Sequence, residues 1–123
     1  MIKQILLVFL GGGVGSVLRF LLSRNLNQIS AIPLGTLLVN FCGSLIIGLV
    51  LGLGLKQEVL SANATLLLAT GFCGGFTTFS AFSFENQALL KAGDYLNFGI
   101  YSAGSIVLGI AAVLLGLWLA KMA

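Results

Sequence analysis

Four long apolar stretches dominate the chain, near residues 3–23, 34–55, 63–90 and 96–120. Each meets the requirement of about 20 mostly apolar residues for a helix that crosses a membrane. Short polar breaks separate them at residues 24–30, 56–58 and 91–94. Pro33 follows the first break and suits the start of the second helix, where a missing N–H costs little. The pattern predicts an all-α integral membrane fold, with one four-helix transmembrane domain over 1–123 and no long linker. The apolar run at 5–10 after Lys3 is not a secretory signal, because apolar segments continue along the rest of the chain.

Composition strengthens that reading. Of 123 residues, 59% are hydrophobic and 7% charged, and the mean hydropathy is +1.13. Six basic and three acidic side chains cannot furnish the solvated surface of a soluble domain this size, whereas lipid makes no such demand. The formal charge of +3 is too small and scattered for a nucleic-acid partner. The chain has no His, which excludes imidazole chemistry. Cys42 and Cys73 lie inside apolar segments without metal-ligand spacing and read as small packing residues. No nucleophile–base pair, metal cluster or ATP motif is present, so no enzyme activity is expected.

Four spans place Lys3, Lys56 and Lys121 on one side of the membrane, and Arg19, Arg24 and Lys91 on or toward the other. Cationic loops set orientation, and three against three sets none. Insertion in both orientations follows as an expectation. Its product is an antiparallel homodimer, the equivalent of an inverted-repeat transporter made from two separate chains. Gly11/Gly15, Gly48/Gly52 and Gly71/Gly75 supply the small-xxx-small spacing of close helix contacts.

Polar side chains inside an apolar span carry a cost in hydrocarbon and mark functional sites by default. Arg19 lies one turn from the end of the first span, where it can anchor at the interface or attract an anion. Asn40 is deeper, with Thr36 one turn earlier on the same face. Glu85 is expected near a water-filled mouth. The third span is the most unusual: Gly71, Gly74 and Gly75 are followed by Thr77 and Thr78, which lowers helix propensity in mid-membrane. A break there frees backbone groups that must find partners or line a cavity. Freed carbonyls suit a cation, and new half-helix N-termini suit an anion. Phe79 and Phe82, at i and i+3, share a face and turn positive ring edges toward any partly dehydrated anion. Ser80 and Ser83 add donors beside them, and Tyr101 with Ser105 extends a hydroxyl ladder on the fourth span.

With these residues in view, the chain resembles the CrcB/Fluc family of fluoride channels over nearly its whole length. The match is carried by GGGVGSVLRF at 11–20, GTLLVNFCGSLIIG at 35–48, and GFCGGFTTFSAFS with Glu85 at 71–85. The resemblance implies four-helix subunits with a broken third helix, in a dual-topology homodimer with two antiparallel pores in the inner (plasma) membrane. It implies passive, selective fluoride export that relieves fluoride toxicity. It also implies a central structural Na⁺ held by the backbone carbonyls of Gly74 and Thr77 from both subunits. Phe79 and Phe82 match the phenylalanines of the fluoride route, Asn40 the vestibule amide, Arg19 the arginine of the first helix, and Tyr101 and Ser105 the polar track. Two positions depart from the family pattern. Ala81 replaces a Thr, removing a hydroxyl expected between the two phenylalanines, and Gly109 stands where the track can carry another Ser. The competing expectation is a small dual-topology exporter that exchanges protons for cationic compounds. Such exchange needs a membrane-embedded carboxylate, and only Glu85 is placed to serve.

Overall fold

In the computed structural model, which describes residues 1–56 and 59–123, four helical spans are long and apolar enough to cross a membrane. The first is α1 (Ile2–Leu26) and the second α2 (Leu34–Gly54). The third span is divided. Its first half, α3, begins as Ala62–Thr65, widens into π-helical turns over Leu66–Cys73, and closes as α-helix over Gly74–Phe76. After a non-helical step, α4 (Ser80–Lys91) completes it. The last span is α5 (Tyr95–Met122). The expected polar break at 56–58 falls partly on residues 57 and 58, which lie outside the described residues.

Local chemistry accounts for the helix ends. Ser61 caps α3 by accepting the Ala64 N–H at 3.2 Å, as a Ser N-cap does. At the end of α4, Gly93 takes a φ of 73°. The Asp94 N–H returns to the Leu89 carbonyl and the Gly93 N–H to that of Leu90, a Schellman closure in which glycine meets no Cβ penalty. Asp94 then caps α5, accepting from the Asn97 backbone N–H at 3.3 Å and from its amide at 2.8 Å. Helix α1 runs to Leu26, past the expected end at 23. Arg24 stays helical there, because a cation in the last turn favours the macrodipole.

The helices pair as α2 with α5, and α1 with α3, with α1 also touching α2. Lipid tails are as apolar as the side chains, so association rests on close packing rather than on water exclusion. Glycine permits that closeness. A Cβ on Gly15 would strike the Phe72 carbonyl and lie 2.8 Å from the Phe76 nitrogen. One on Gly48 would strike the Val113 carbonyl of α5. In both places backbone meets backbone. The outward faces of α1 and α5 stay apolar and exposed, from Phe9 and Val17 to Ile106 and Leu114, as a lipid- or subunit-facing surface requires.

Lys56 joins the ends of two spans by donating to the Ala120 carbonyl at 2.8 Å and the Ala123 carbonyl at 3.2 Å. The second and fourth spans therefore finish at the same membrane level.

Candidate functional site

The break in the third span does not fall on its glycines. Gly74 and Gly75 are helical, and the chain leaves helical geometry at Thr77, with φ −87° and ψ 159°. A partner on another helix fixes this position. The Asn40 side chain donates to the Thr78 carbonyl at 3.0 Å and accepts the Thr78 N–H at 2.7 Å. That N–H would otherwise close a helical turn onto Gly74. Likewise the Ala81 N–H goes to Thr78 Oγ1 at 3.1 Å rather than to the Thr77 carbonyl. The carbonyls of Gly74 and Thr77 are thereby released from the helical ladder, and that of Phe76 likewise receives no bond from the Ser80 N–H across the break. The Gly75 carbonyl is taken by Arg19, whose Nε donates at 3.0 Å, with Ser16 Oγ at 3.5 Å.

The break opens onto a groove of about 410 Å³. Asn40 and Ser44 border it from α2, Gly74 and Thr77 from the end of α3, Phe79 and Phe82 from the start of α4, and Ser105 and Gly109 from α5. The Phe79 and Phe82 rings are 5.9 Å apart at 42°, and Phe82 meets Tyr101 edge-on at 5.1 Å. Phe79 is 79% exposed on the groove's open side. Ser105 Oγ is buried and has no hydrogen-bond partner among the described residues. A hydroxyl left unpaired in an apolar setting is costly, and this one belongs to a residue that borders the groove. The wall is mostly apolar, punctuated by the Asn40 amide and the hydroxyls of Ser44, Thr78 and Ser105, while the Thr77 hydroxyl donates to the Cys73 carbonyl at 2.8 Å. It offers hydrogen-bond donors without a fixed charge, which suits a small anion that must leave again.

Four expected site residues lie elsewhere. Ser83 Oγ donates back to the Phe79 carbonyl at 2.9 Å, and Ser80 shares a hydrogen bond with Thr78 Oγ1 at 3.3 Å; neither borders the groove. Arg19 borders a second cavity of about 430 Å³, with Ser16, Ser23, Arg24, Asn27, Ala81 and Glu85 among its walls. Tyr101 is buried, and its hydroxyl donates to Glu85 Oε1 at 2.9 Å. Glu85 Oε2 accepts from Thr36 Oγ1 at 2.7 Å and from the Asn27 amide at 3.2 Å. Glu85 sits mid-helix in α4, not at the end of the third span. Thr36, expected on the Asn40 face, is 1% exposed beneath this carboxylate.

Sequence reasoning missed Ser44, which is i+4 from Asn40 and could have been found by extending that face one more turn. It also missed Asn27 and Asn86, whose partners are distant in sequence.

The matched family profile, described as CrcB-like protein, Camphor Resistance (CrcB), covers residues 6–117. A fluoride-specific ion channel FluC of Gloeothece citriformis (strain PCC 7424) is 51% identical over 121 residues, spanning 96% of this chain and 97% of its own. The FluC of Azobacteroides pseudotrichonymphae genomovar. CFP2 is 49% identical over 118 residues, with 94% of each chain covered. That of Leptospira interrogans serogroup Icterohaemorrhagiae serovar copenhageni is 40% identical over 121 residues, with 97% and 95% covered.

The chain belongs to the CrcB family. It is a multi-pass membrane protein, with four helices able to span. Its two departures from the family pattern now have positions. The Ala81 side chain lines the second cavity with Arg19 and Glu85, so the missing hydroxyl belongs to that cavity and not to the space between the rings. The restart of α4 at Ser80 decides this, because it sends residues 79 and 82 to one face and 81 to another. At Gly109 of this CrcB-family chain, an added Cβ would meet nothing nearer than Ser44 Oγ at 3.9 Å. The groove has room for a side chain there.

Proposed function

We propose that the chain is a fluoride-selective, passive channel that exports the ion from the cytoplasm. The observation that carries this reading is the groove itself. An amide, several hydroxyls and two phenylalanine rings converge beside a helix break, in a chain about half identical to proteins named fluoride-specific ion channels. Fluoride is the conjugate base of a weak acid, so neutral HF enters a cell in acid surroundings and dissociates inside. A potential negative inside then drives the anion outward by about 2.3 kcal/mol per 100 mV. The protein has only to replace hydration along a narrow path. Asn40 and Ser105 offer N–H and O–H donors, and Phe79 and Phe82 offer positive ring edges. Glu85 is engaged by three donors, which argues against its serving as the carboxylate of a proton-coupled exporter.

The working unit in this reading is an antiparallel homodimer in the inner membrane with two pores. The even charge balance and the open side of the groove at Phe79 support it. A structural Na⁺ belongs to the same proposal. The carbonyls of Gly74 and Thr77 are released from the helix, and neutral oxygen donors suit a hard cation. A Cβ on Gly74 would meet nothing within 4 Å, so this stretch of backbone is accessible. The residues present therefore fit the ion, which would supply a fixed positive charge at the break.

Growth tests the export. A bacterium lacking its own fluoride exporter should grow at otherwise inhibitory fluoride when this chain is expressed, and should lose that growth with Phe82→Ile. Equal sensitivity with and without a chain verified in the membrane would overturn the reading.

A further inference from the structure

Asn86 is one of two buried polar residues among those described, at 7% exposure, and it borders neither cavity. Asn is a poor helix former, and a buried amide is costly unless paired. Here both ends are paired. Its Nδ2 donates to the Phe82 carbonyl at 3.0 Å, and its Oδ1 accepts from Ser102 Oγ of α5 at 2.9 Å. The bond lies next to the Tyr101–Glu85 bond at 2.9 Å, so two consecutive residues of α4 clip to two consecutive residues of α5.

Beyond these clips, helix α4 is tied to the first two spans through Glu85, which accepts from Thr36 and Asn27. Thr77–Phe79 separates it from α3, and α5 is the one helix against which it makes an extended contact among the described residues. Phe84 on its outer face is exposed. The placement of the Phe82 ring, 5.1 Å from Tyr101, thus depends on how α4 seats on α5. Of the two clips, the Glu85 one opens onto the second cavity. The Asn86 clip borders neither cavity, with Asn86 buried and Ser102 half-buried, and its amide reaches the Phe82 backbone directly.

We infer that Asn86 and Ser102 are positioning residues that hold Phe82 at the groove and set the ion's rate through that ring without touching the ion. This rests on the channel reading above. Displacement by about 1 Å can lower a rate on the order of 100-fold, and a smaller loss is expected from one hydrogen bond.

The test is fluoride efflux from liposomes holding equal amounts of wild type, Ser102→Ala, Ser102→Thr, Phe82→Ile and the Ser102→Ala/Phe82→Ile double variant. Ser102→Ala should slow flux about tenfold, while Ser102→Thr, which keeps the hydroxyl, stays within about twofold of wild type. In the Phe82→Ile background, Ser102→Ala should slow flux no further, because the ring it positions is gone. A purely structural role would make the two effects multiply. Multiplication, or a wild-type rate in Ser102→Ala, overturns the inference and leaves the channel reading intact. No fluoride efflux from wild type overturns both. If Ser102→Ala does not purify as a single species, Ser102→Cys, with its weaker donor, takes its place with the same non-additivity expected.

Discussion

The Ser105 hydroxyl separates what holds the fold from what serves the ion. Its oxygen is buried and has no partner among the described residues, and the residue borders the groove. A buried hydroxyl without a partner costs about 1–3 kcal/mol. Ser105→Ala removes that cost, so the fold should be unchanged or more stable by about 1 kcal/mol. A dehydrating anion loses something quite different. A hydrogen bond to a charged group contributes about 1.5–3 kcal/mol, and each 1.36 kcal/mol in the barrier is about tenfold in rate. On the proposed route Asn40 and the other hydroxyls would share the ion, which puts the expectation at the low end: fluoride flux slowed about tenfold. The two signs are opposite, and no packing defect gives that combination. Thermal melting in detergent and fluoride efflux from liposomes, on the same preparation, read both. A lowered melting temperature would mean that the hydroxyl has a structural partner. Unchanged flux would mean that it does not face the ion's path.

Four further outcomes are expected. Gly15→Ala should destabilise by about 1–3 kcal/mol, because its Cβ meets the backbone of Phe72 and Phe76. Gly13→Ala, whose Cβ meets nothing within 4 Å, should melt at or above the wild-type temperature. Tyr101→Phe leaves Glu85 one donor short and should lower stability by about 1–2 kcal/mol; an unchanged melting temperature would show that the Glu85 cluster does not hold α4 to α5. For topology, Lys56→Cys in a background without Cys42 and Cys73 should be labelled by impermeant reagents from both sides of the membrane. Labelling from one side alone would exclude the antiparallel dimer.

Much of the architecture was legible because its causes are local. Hydropathy over about 20 residues marks a span wherever its partners are, and glycine spacing marks Gly11/Gly15 and Gly71/Gly75 as contact faces, although only the fold shows that they meet each other. Asn40, Phe79, Phe82 and Ser105 stood out as polar or aromatic groups at helical intervals, and they converge on one groove. What could not be read depended on distant residues. The weak helix formers from Gly71 to Thr78 marked the break only as a stretch, and the Asn40–Thr78 clamp, which joins residues 38 apart, fixes it at Thr77. That position decides where α4 restarts and turns Ala81 toward Arg19 rather than toward the rings. The Glu85 cluster draws Asn27 from 58 residues away and Thr36 from 49. The π-turns over Leu66–Cys73 accompany the contact with α1, which no single segment encodes.

Paired fluoride and chloride efflux from liposomes, under a K⁺/valinomycin potential and read with ion-selective electrodes, tests the proposed function most directly. The geometry of an uncharged donor-lined groove predicts rapid fluoride loss that stops when valinomycin is withheld, with chloride retained. Chloride leaving as fast as fluoride, or fluoride retained under the potential, would contradict it.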